Sequence, residues 1–238
     1  MFGLGTIINT AAIIAGGICG LLFGKLLKPR HQEGVSMACG VSTLFIGLAG
    51  AMQGMLKLAD GALESGSSML VVICLVLGAL TGEIINIERG FDRFGEYLKR
   101  KTHSESDNGF VNGFVTASLT VCIGAMAVVG SIQDGLSGDY SLLATKAVLD
   151  FVIVLVMSCS LGKGAVFSCV PVFLCEGLMT LLASLIKPLF TQAALNNISL
   201  VGSVLIFCVG INLVWGKKIR VANLLPALVF AVAAAFIV

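Results

Sequence analysis

The feature that most constrains this chain is a series of long apolar runs separated by short polar segments. A transmembrane helix needs about 20 mostly apolar residues to cross the hydrocarbon core of a bilayer. Only 12% of the 238 residues are charged, about half the share found in soluble proteins. We therefore expect an all-α, polytopic membrane helix bundle that forms a single transmembrane domain over residues 1–238. The eight predicted spans cover residues 5–27, 35–56, 68–87, 110–132, 142–161, 164–187, 197–215 and 221–238.

The basic residues predict the orientation of the chain, because cytoplasmic loops are enriched in Lys and Arg. If the N-terminus lies outside, the outer loops hold only Lys57 and Lys187. This bias arises only if all eight segments cross. The sequence thus predicts eight spans with both termini outside, in a bacterial plasma (inner) membrane. The inner segments then hold twelve basic residues: Lys25, Lys28, Arg30, Arg89, Arg93, Lys99, Arg100, Lys101, Lys163, Lys217, Lys218 and Arg220.

Two polar segments allow alternative structures. Gly162-Lys163-Gly164 divides the fifth span from the sixth, and we expect a tight hairpin there. One continuous helix would be about 69 Å long, which is twice the thickness of the hydrocarbon core. Within residues 84–108, apolar residues recur at three- and four-residue spacing with charged residues between them, and a polar linker follows. This pattern predicts an amphipathic helix on the inner membrane surface, with a solvated extension of the third span as the alternative.

Small residues indicate a closely packed bundle. Gly16, Gly20 and Gly24 follow one another at four-residue spacing, as do three further glycine pairs. In lipid, such ridges let helices approach until dispersion forces hold them together, and they would equally allow a homo-oligomer to form. All eight cysteines lie in apolar runs without Cys-x-x-Cys spacing, so we interpret them as packing residues. The three pairs are Gly50/Gly54, Gly78/Gly82 and Gly109/Gly113.

The sequence also contains two weak internal similarities. Residues 42–54 resemble residues 118–130, and residues 5–20 resemble residues 162–177. In the predicted topology the first pair would run parallel and the second antiparallel, and the antiparallel arrangement is one that many transporters use. Because helices rich in Gly and Ala resemble one another by chance, a true repeat and a chance likeness both remain open.

Ionisable residues inside the apolar runs are the strongest functional signal, since a charge at the bilayer centre costs ~2.5–3.5 kcal/mol on the insertion scale. Asp150 lies about 12 Å from the outer end of the fifth span, and Lys146 lies one turn earlier on the same helix face. Glu176 lies at a similar depth in the sixth span. Pro171 is expected to bend that span and free a backbone carbonyl. We interpret Asp150, Glu176 and Lys146 as a midplane site for a small solute or ion.

Each of these residues also has a purely structural interpretation. Lys146 could extend to the outer surface while Asp150 is a hydrogen-bonded structural group. Asn9, Gln53 and Gln133 are secondary candidates for lining the same cavity, and the alternative is that each forms hydrogen bonds between helices.

Several classes of function are poorly supported. His31 and His103 are the two histidines, and both fall in predicted inner loops, away from any intramembrane base or metal cluster. The chain has no nucleotide-binding loop, and its basic residues are too scattered for a nucleic-acid surface. We expect no enzymatic activity, no cofactor and no metal.

Short motifs along nearly the whole chain point to a family. They are Gly5-Thr6-Ile7-Ile8-Asn9, Gly124-Ala125-Met126-Ala127, Gly130-Ser131-Ile132-Gln133-Asp134-Gly135, Lys146 with Asp150, Gly162-x-Gly164, and Asn223-Leu224-Leu225-Pro226-Ala227. In these motifs the chain resembles the YqgA/YdfK-like family of bacterial inner-membrane proteins, a domain of unknown function numbered 554. The resemblance implies a bacterial polytopic membrane protein and no particular activity or site.

Two functional hypotheses follow. The leading hypothesis is a membrane transporter or permease for a small solute or ion, with proton coupling through Asp150 and Glu176 as its more specific form. The alternative is a non-transporting membrane scaffold whose glycine ridges mediate assembly. Under either hypothesis the expected partners include the lipid bilayer, and the first adds an unidentified solute or ion.

Overall fold

The computed structural model describes residues 3–26, 28–59, 62–104, 107–122, 125–186 and 190–236. Within these ranges the chain is mainly helical, with a short antiparallel hairpin of two strands and one 3₁₀ segment at Lys163–Ser168. The strands are β1 (Leu56–Ala59) and β2 (Ala62–Ser65). The helices are α1 (Leu4–Leu26), α2 (Pro29–Met55), α3 (Ser68–Ile85), α4 (Ile87–Lys101), α5 (Phe110–Cys122), α6 (Ala125–Ser137), α7 (Ser141–Leu161), α8 (Cys169–Leu181), α9 (Ala183–Ile186), α10 (Gln192–Trp215), α11 (Val221–Leu224) and α12 (Pro226–Ala234).

Six helical segments in the described ranges are long and apolar enough to cross a membrane. They are α1, Glu33–Met55 of α2, α3, α7, Lys163–Leu181 and α10. Phe110–Cys122 and Met126–Ser137 form a pair bent by 63° that brings the number to seven if it is one span. The eighth predicted span coincides with a shorter apolar stretch, Val221–Ala234, so the count of eight stays a prediction. The predicted ends at residues 27, 187 and 238, and motif residue Gly124, lie outside the described residues.

Helix α1 exposes large apolar side chains and buries small and polar residues, which is the reverse of the arrangement in a water-soluble protein. Large apolar side chains are exposed, with Ile7 57%, Ile18 51% and Leu22 59% accessible. In water such a face would be turned inward. In a membrane the exposed apolar side chains contact lipid tails, while small and polar residues pack against other helices. The helical membrane fold is thereby confirmed, and the buried face of α1 consists of Gly5, Thr6, Asn9, Ile13, Gly16, Gly17, Gly20 and Gly24.

The chain folds into two compact units, each assembled from stretches that are separate in sequence. The stretches of the two units alternate along the chain, so the units do not correspond to two consecutive halves of the sequence. The predicted single transmembrane domain stays a prediction. The first unit comprises Met1–Cys39, Arg89–Cys122 and Met126–Ile186, and the second comprises Gly40–Glu88, Ile123–Ala125 and Lys187–Val238.

The first unit is built around α1 and α7. The two helices run parallel, because Gly16 faces the backbone of Phe151 and Gly24 faces the backbone of Cys159. Glycine is required at this interface, since a Cβ at Gly16 would overlap the carbonyl oxygen of Phe151. Four helices then each contribute one buried residue to the core of the unit: Ile13 from α1, Val121 from α5, Val154 from α7 and Val172 from α8.

The bent pair of α5 and α6 runs along the whole length of α7. A Cβ at Gly113 of α5 would come within 2.7 Å of the carbonyl oxygen of Leu161, at the C-terminal end of α7. A Cβ at Gly130 of α6 would come within 2.9 Å of Leu143, near the N-terminal end of α7. The pair therefore passes from one end of the unit to the other, as a broken span does, and does not return to the side from which it entered.

The predicted hairpin between the fifth and sixth spans is present. Gly162 ends α7 with a φ of 79°, a left-handed conformation that favours glycine, and the 3₁₀ segment follows directly. Pro171 lies in the first turn of α8, where a helix needs no N–H donor. The departure from regular α-helix thus precedes Pro171 and occupies the 3₁₀ segment.

The amphipathic segment forms a separate helix, α4. Asn86 ends α3 in the left-handed region, with a φ of 57°, and α4 begins at the next residue. The ring of Phe94 packs edge-on against Phe114 of α5, with 5.7 Å between the ring centroids. The alternative of a simple extension of the third span is therefore wrong, and a position on the inner membrane surface stays a prediction.

The second unit also depends on glycine contacts. The Gly47 position of α2 faces the backbone of Phe207 in α10, and the Gly54 position faces Leu200, so these two helices run antiparallel. On α3, Gly82 faces the backbone of Asn223. The core of this unit consists of Cys74, Val201, Ala227 and Ala231.

The β-hairpin between α2 and α3 is a feature that we did not predict. Leu56 pairs with Ser65, and Ala59 pairs with Ala62, in antiparallel register. The dipeptide between the strands, Asp60-Gly61, is a type that favours two-residue hairpin turns, and it lies outside the described residues. The hairpin shows that the polar segment after the second predicted span has regular structure of its own.

Replacing Gly20 tests the close contact between α1 and α7. A Cβ at Gly20 would overlap the carbonyl oxygen of Leu155, so we expect Gly20→Ala to lower the free energy of unfolding by about 1–3 kcal/mol. The matched control is Gly90→Ala in α4, where a Cβ would have no atom within 4 Å. Thermal unfolding in detergent should show a lower Tm for Gly20→Ala and an unchanged or slightly higher Tm for Gly90→Ala. Equal melting temperatures for the two variants would contradict the contact.

Candidate functional site

A buried ammonium group lies inside the first unit. Lys146 and Asp150 lie one turn apart on α7, with side chains that are only 7% and 5% exposed, and they form a direct ion pair. The Nζ atom of Lys146 also lies 3.5 Å from Oε1 of Glu176, on α8. The predicted i, i+4 pair is therefore present, and Glu176 joins it from the neighbouring helix. The alternative in which Lys146 extends to the membrane surface is wrong.

The broken span supplies a further ligand to the ammonium group. Lys146 Nζ donates a hydrogen bond of 2.8 Å to the carbonyl oxygen of Val121. Val121 is the penultimate residue of α5, and the last carbonyl groups of a helix lack intrahelical donors. The C-terminal end of a helix also carries partial negative charge, which favours a cation. The sequence predicted a freed carbonyl in the helix that contains Pro171. The freed carbonyl that contacts Lys146 instead comes from α5.

Asn9 connects the two carboxylates. Its side chain on α1 is fully buried, and Nδ2 donates to Asp150 Oδ2 at 3.1 Å and to Glu176 Oε1 at 2.8 Å. The close glycine packing of α1 on α7 places this short side chain within reach of both groups. Among the sequence candidates, Asn9, Lys146, Asp150 and Glu176 thus lie together in one cluster, which we call the ionic cluster.

The ionic cluster contains more negative than positive groups. Two carboxylates face one ammonium, so the cluster has a net charge of −1 when all three are ionised. Burial makes an uncompensated charge costly. Asn9 Oδ1 and Glu176 Oε2 are buried and have no hydrogen-bond partner among the described residues. The cluster can therefore accept one additional positive charge, either as a proton or as a cation.

Asp134 is a buried polar residue whose environment we did not predict from the sequence. It follows the predicted fourth span, residues 110–132, but it lies in α6 and is fully buried. Its Oδ2 atom accepts a hydrogen bond of 3.0 Å from the backbone N–H of Gly5, in the first turn of α1. A carboxylate at a helix N-terminus stabilises the free N–H groups there.

Two further candidates do not join the ionic cluster. Gln133 is exposed on α6. Gln53 belongs to the second unit and lines a cavity of about 460 Å³ there. The described lining of that cavity has no ionisable side chain, and its amide and hydroxyl groups are suited to hydrogen bonds with an uncharged polar molecule. These groups belong to Gln53, Ser67, Asn196, Asn197 and Ser199.

The side chains of the ionic cluster would offer a metal ion the oxygens of two carboxylates and one amide. No group of three or more His, Cys, Asp and Glu residues that could hold a metal ion occurs in the described part of the chain. Hard divalent cations usually take six or more oxygen ligands, and the ammonium of Lys146 already occupies the space between the two carboxylates. A divalent cation would therefore have to displace the ammonium from the two carboxylates.

Removing Lys146 should destabilise the fold. In Lys146→Met, Asp150 and Glu176 would face each other without a cation, and breaking a buried ion pair costs about 3–5 kcal/mol. Adding Asp150→Asn should restore part of that loss, because a single carboxylate then remains. A double-mutant cycle on denaturant unfolding measures this coupling. Lys163→Met, at an exposed lysine just after α7, is the control and should change stability by less than about 0.5 kcal/mol. A coupling energy near zero would rule out the ion pair as a stabilising contact.

Comparisons with known proteins agree with this architecture. A family model described as "Protein of unknown function (DUF554)" matches residues 4–236. The chain is 30% identical to "Uncharacterized membrane protein YdfK" of Bacillus subtilis (strain 168), over 98% of this chain and 96% of that protein. It is 27% identical to "Uncharacterized protein YqgA" of Escherichia coli (strain K12), over 96% and 94% of the two chains. No solved structure matches the chain significantly. Since the family model covers nearly its whole length, the chain belongs to the DUF554 family of membrane proteins.

Proposed function

We propose that this protein is a transporter or permease for a small solute or ion, and that proton movement through Asp150 and Glu176 drives it. The observation that carries the proposal is the ionic cluster, buried in the middle of membrane-length helices. On the insertion scale, three central charges cost about 8–10 kcal/mol before they pair. Apolar residues of similar volume often stabilise a core as well as a buried ion pair does. A bundle with a purely structural role could be built from apolar residues in place of these charges.

The helix break beside the cluster supports the same proposal. Transporters commonly place ions and substrates where a transmembrane helix is interrupted, because the freed backbone groups can bind them. Here the carbonyl of Val121, at the end of α5, contacts the Lys146 ammonium. A regular helix would have kept that carbonyl bonded within the helix.

The scaffold alternative receives less support. It depended on glycine ridges that would be free to contact a second copy or a partner. The Gly16 and Gly20 positions pack on α7, Gly47 and Gly54 pack on α10, and Gly82 packs on the backbone of Asn223. These ridges are thus occupied by helices of the same unit, and close packing within each unit accounts for them.

We also propose that the protein is not an enzyme and that it requires no cofactor. The ionic cluster contains no nucleophile beside a base, as covalent catalysis would need. Its carboxylates share an ammonium and an amide, and do not face each other as an acid protease pair does.

We further infer a bacterial plasma membrane location with both termini outside. The twelve-to-two distribution of basic residues supports this orientation. Parallel α1 and α7 require an odd number of crossings between them, which α2, α3 and the α5–α6 pair would supply. Both relatives named above are bacterial proteins.

Fusions at the C-terminus test this topology and the eighth crossing together. Alkaline phosphatase folds to an active form only outside the cytoplasm, whereas green fluorescent protein fluoresces inside it. We expect an active phosphatase fusion and a dark fluorescent fusion, because Val221–Ala234 would then cross the membrane. A bright fluorescent fusion with an inactive phosphatase would show seven crossings and would overturn the predicted position of the C-terminus.

Transport itself is tested in proteoliposomes with an imposed pH gradient. The interior contains a pH-sensitive dye, and a panel of ions, amino acids, sugars and nucleobases is added outside. We expect at least one compound to produce proton flux in the wild type. Asp150→Asn and Glu176→Gln should each reduce that flux by more than about tenfold, since each removes a group that can carry the proton.

The control for this experiment is Glu96→Gln, which removes an exposed carboxylate from α4, outside the ionic cluster. It should keep the wild-type flux. All variants are first compared by size-exclusion profile and Tm, so that loss of fold is not mistaken for loss of transport. Undiminished flux in both folded cluster variants would remove Asp150 and Glu176 from the transport mechanism.

A further inference from the structure

We infer that Glu176 is the proton-binding residue of the ionic cluster, and that its protonated carboxyl forms a cyclic hydrogen-bonded pair with the side-chain amide of Asn9. The inference rests on the proposed function for its role in coupling. The protonation itself is a property of the folded protein and is measurable without transport.

Half of the cyclic pair is present in the structure. Asn9 Nδ2 donates a hydrogen bond of 2.8 Å to Glu176 Oε1. The other atom of each group, Asn9 Oδ1 and Glu176 Oε2, is buried and has no partner among the described residues. Both atoms are acceptors while Glu176 is ionised, so they cannot bond to each other. A proton on Oε2 turns it into a donor to Oδ1, so one proton satisfies both atoms.

The charges of the cluster favour the same position for the proton. Lys146 forms its direct pair with Asp150 and lies 3.5 Å from Glu176, so Glu176 is the carboxylate in excess. A proton on Glu176 leaves one ammonium and one carboxylate, and the cluster becomes neutral in a low-dielectric environment. A proton on Asp150 would instead weaken the closest ion pair in the cluster.

The surroundings of Glu176 contain few other groups that could take the proton. From α7 it faces Lys146 and Asp150, and from α1 it faces the amide of Asn9. The thiol of Cys122 approaches from α5, and Cys175 precedes Glu176 on α8. On α6, Asp134 accepts from the backbone of Gly5, at the first turn of α1. Asp134 Oδ1 is also buried without a partner among the described residues, but Asp134 accepts from a backbone N–H, whereas Glu176 is bonded to an amide whose own oxygen is unpartnered.

Release of the proton has a defined structural consequence. Asn9 Oδ1 and Glu176 Oε2 would again be two acceptors without a donor, and the cluster would have a net charge of −1. Asn9 lies on α1 and Glu176 on α8, so the cyclic pair joins these helices only in the protonated state. Proton release would therefore loosen the contact between α1 and α8 or draw in a cation, and either event could couple proton movement to a solute.

Infrared titration of the full chain in lipid nanodiscs tests the assignment. A protonated carboxylic acid has a carbonyl stretching band that is well separated from the bands of ionised carboxylates. We expect this band in the wild type at acidic and neutral pH, and its loss at high pH. Glu176→Gln should lack the band, whereas Glu96→Gln, which removes an exposed carboxylate outside the ionic cluster, should keep it. Absence of the band in the wild type, or its retention in Glu176→Gln, would overturn the assignment.

The role of Asn9 is tested by the frequency of the same band. Asn9→Leu removes the hydrogen bonds of the amide, so the carbonyl band of Glu176 should move to higher frequency. An unmoved band would exclude Asn9 as the partner. If Asn9→Leu does not fold, Glu176→Gln and Glu176→Leu provide the test, because glutamine can form the same cyclic pair with Asn9 and leucine cannot. The Tm of Glu176→Gln should then match the wild type at acidic pH and exceed that of Glu176→Leu. Equal Tm values for the two variants would overturn the pair.

The two proposals fail in different ways. If the infrared band is assigned to Glu176 but no solute produces proton flux, the proton site stands and the proposed transport is wrong. Proton flux that depends on Asp150, with no band assigned to Glu176, would retain transport and remove this inference.

Discussion

The first unit depends on one constraint, which is that the ammonium of Lys146 must be compensated inside a membrane-length helix. Water cannot solvate the charge there, so protein groups must surround it. Asp150 supplies a carboxylate from the same helix, Glu176 supplies a second carboxylate from α8, and the end of α5 supplies a carbonyl oxygen. Glu176 and the Val121 carbonyl each require their helix to lie at a fixed distance from α7. The cluster therefore specifies the relative placement of α5, α7 and α8 more tightly than apolar packing would.

Glycine makes this arrangement sterically accessible. Apolar side chains gain little by leaving lipid for a protein interior, so helices in a membrane are held by close packing and by polar contacts. At Gly16 and Gly20, α1 approaches the backbone of α7 so closely that no side chain fits between them. The same approach lets Cys159 Sγ donate to the carbonyl of Gly20 at 3.1 Å. With α1 this close, the short side chain of Asn9 can reach both carboxylates. The glycine ridge and the ionic cluster are thus parts of one interface.

Several of these features could be predicted from residue spacing alone. Lys146 and Asp150 are four residues apart within one apolar run, which places them on the same face of any helix. The hairpin at Gly162 follows from length, because a single helix would be far too long for the bilayer. Asn9 was assigned only a secondary role, since an amide within an apolar run gives no sign of what it will contact. Gln53 and Gln133 have the same ambiguity, and the structure places both outside the cluster.

The break between α5 and α6 shows where hydropathy fails as a predictor. Residues 118–130 are uniformly apolar or small and contain no proline, so the sequence predicts an unbroken span there. The structure ends α5 at Cys122 and bends the chain by 63° before α6 continues. A hydropathy profile sums transfer energies and contains no information on tertiary hydrogen bonds. The bond from Lys146 satisfies the carbonyl of Val121 at the break, and it exists only once α7 has packed beside α5.

The stoichiometry of the cluster distinguishes it from a simple buried salt bridge. A one-to-one pair is neutral, so gain or loss of a proton leaves a single charge unpaired in the membrane. Two carboxylates with one ammonium have a neutral state when one proton is bound, and a state of charge −1 when it has left. In the second state the amide of Asn9 still donates to both carboxylates, and the carbonyl of Val121 contacts the ammonium. Such a cluster can change its charge by one unit without losing its central ion pair, and a proton-coupled carrier needs a group with this property.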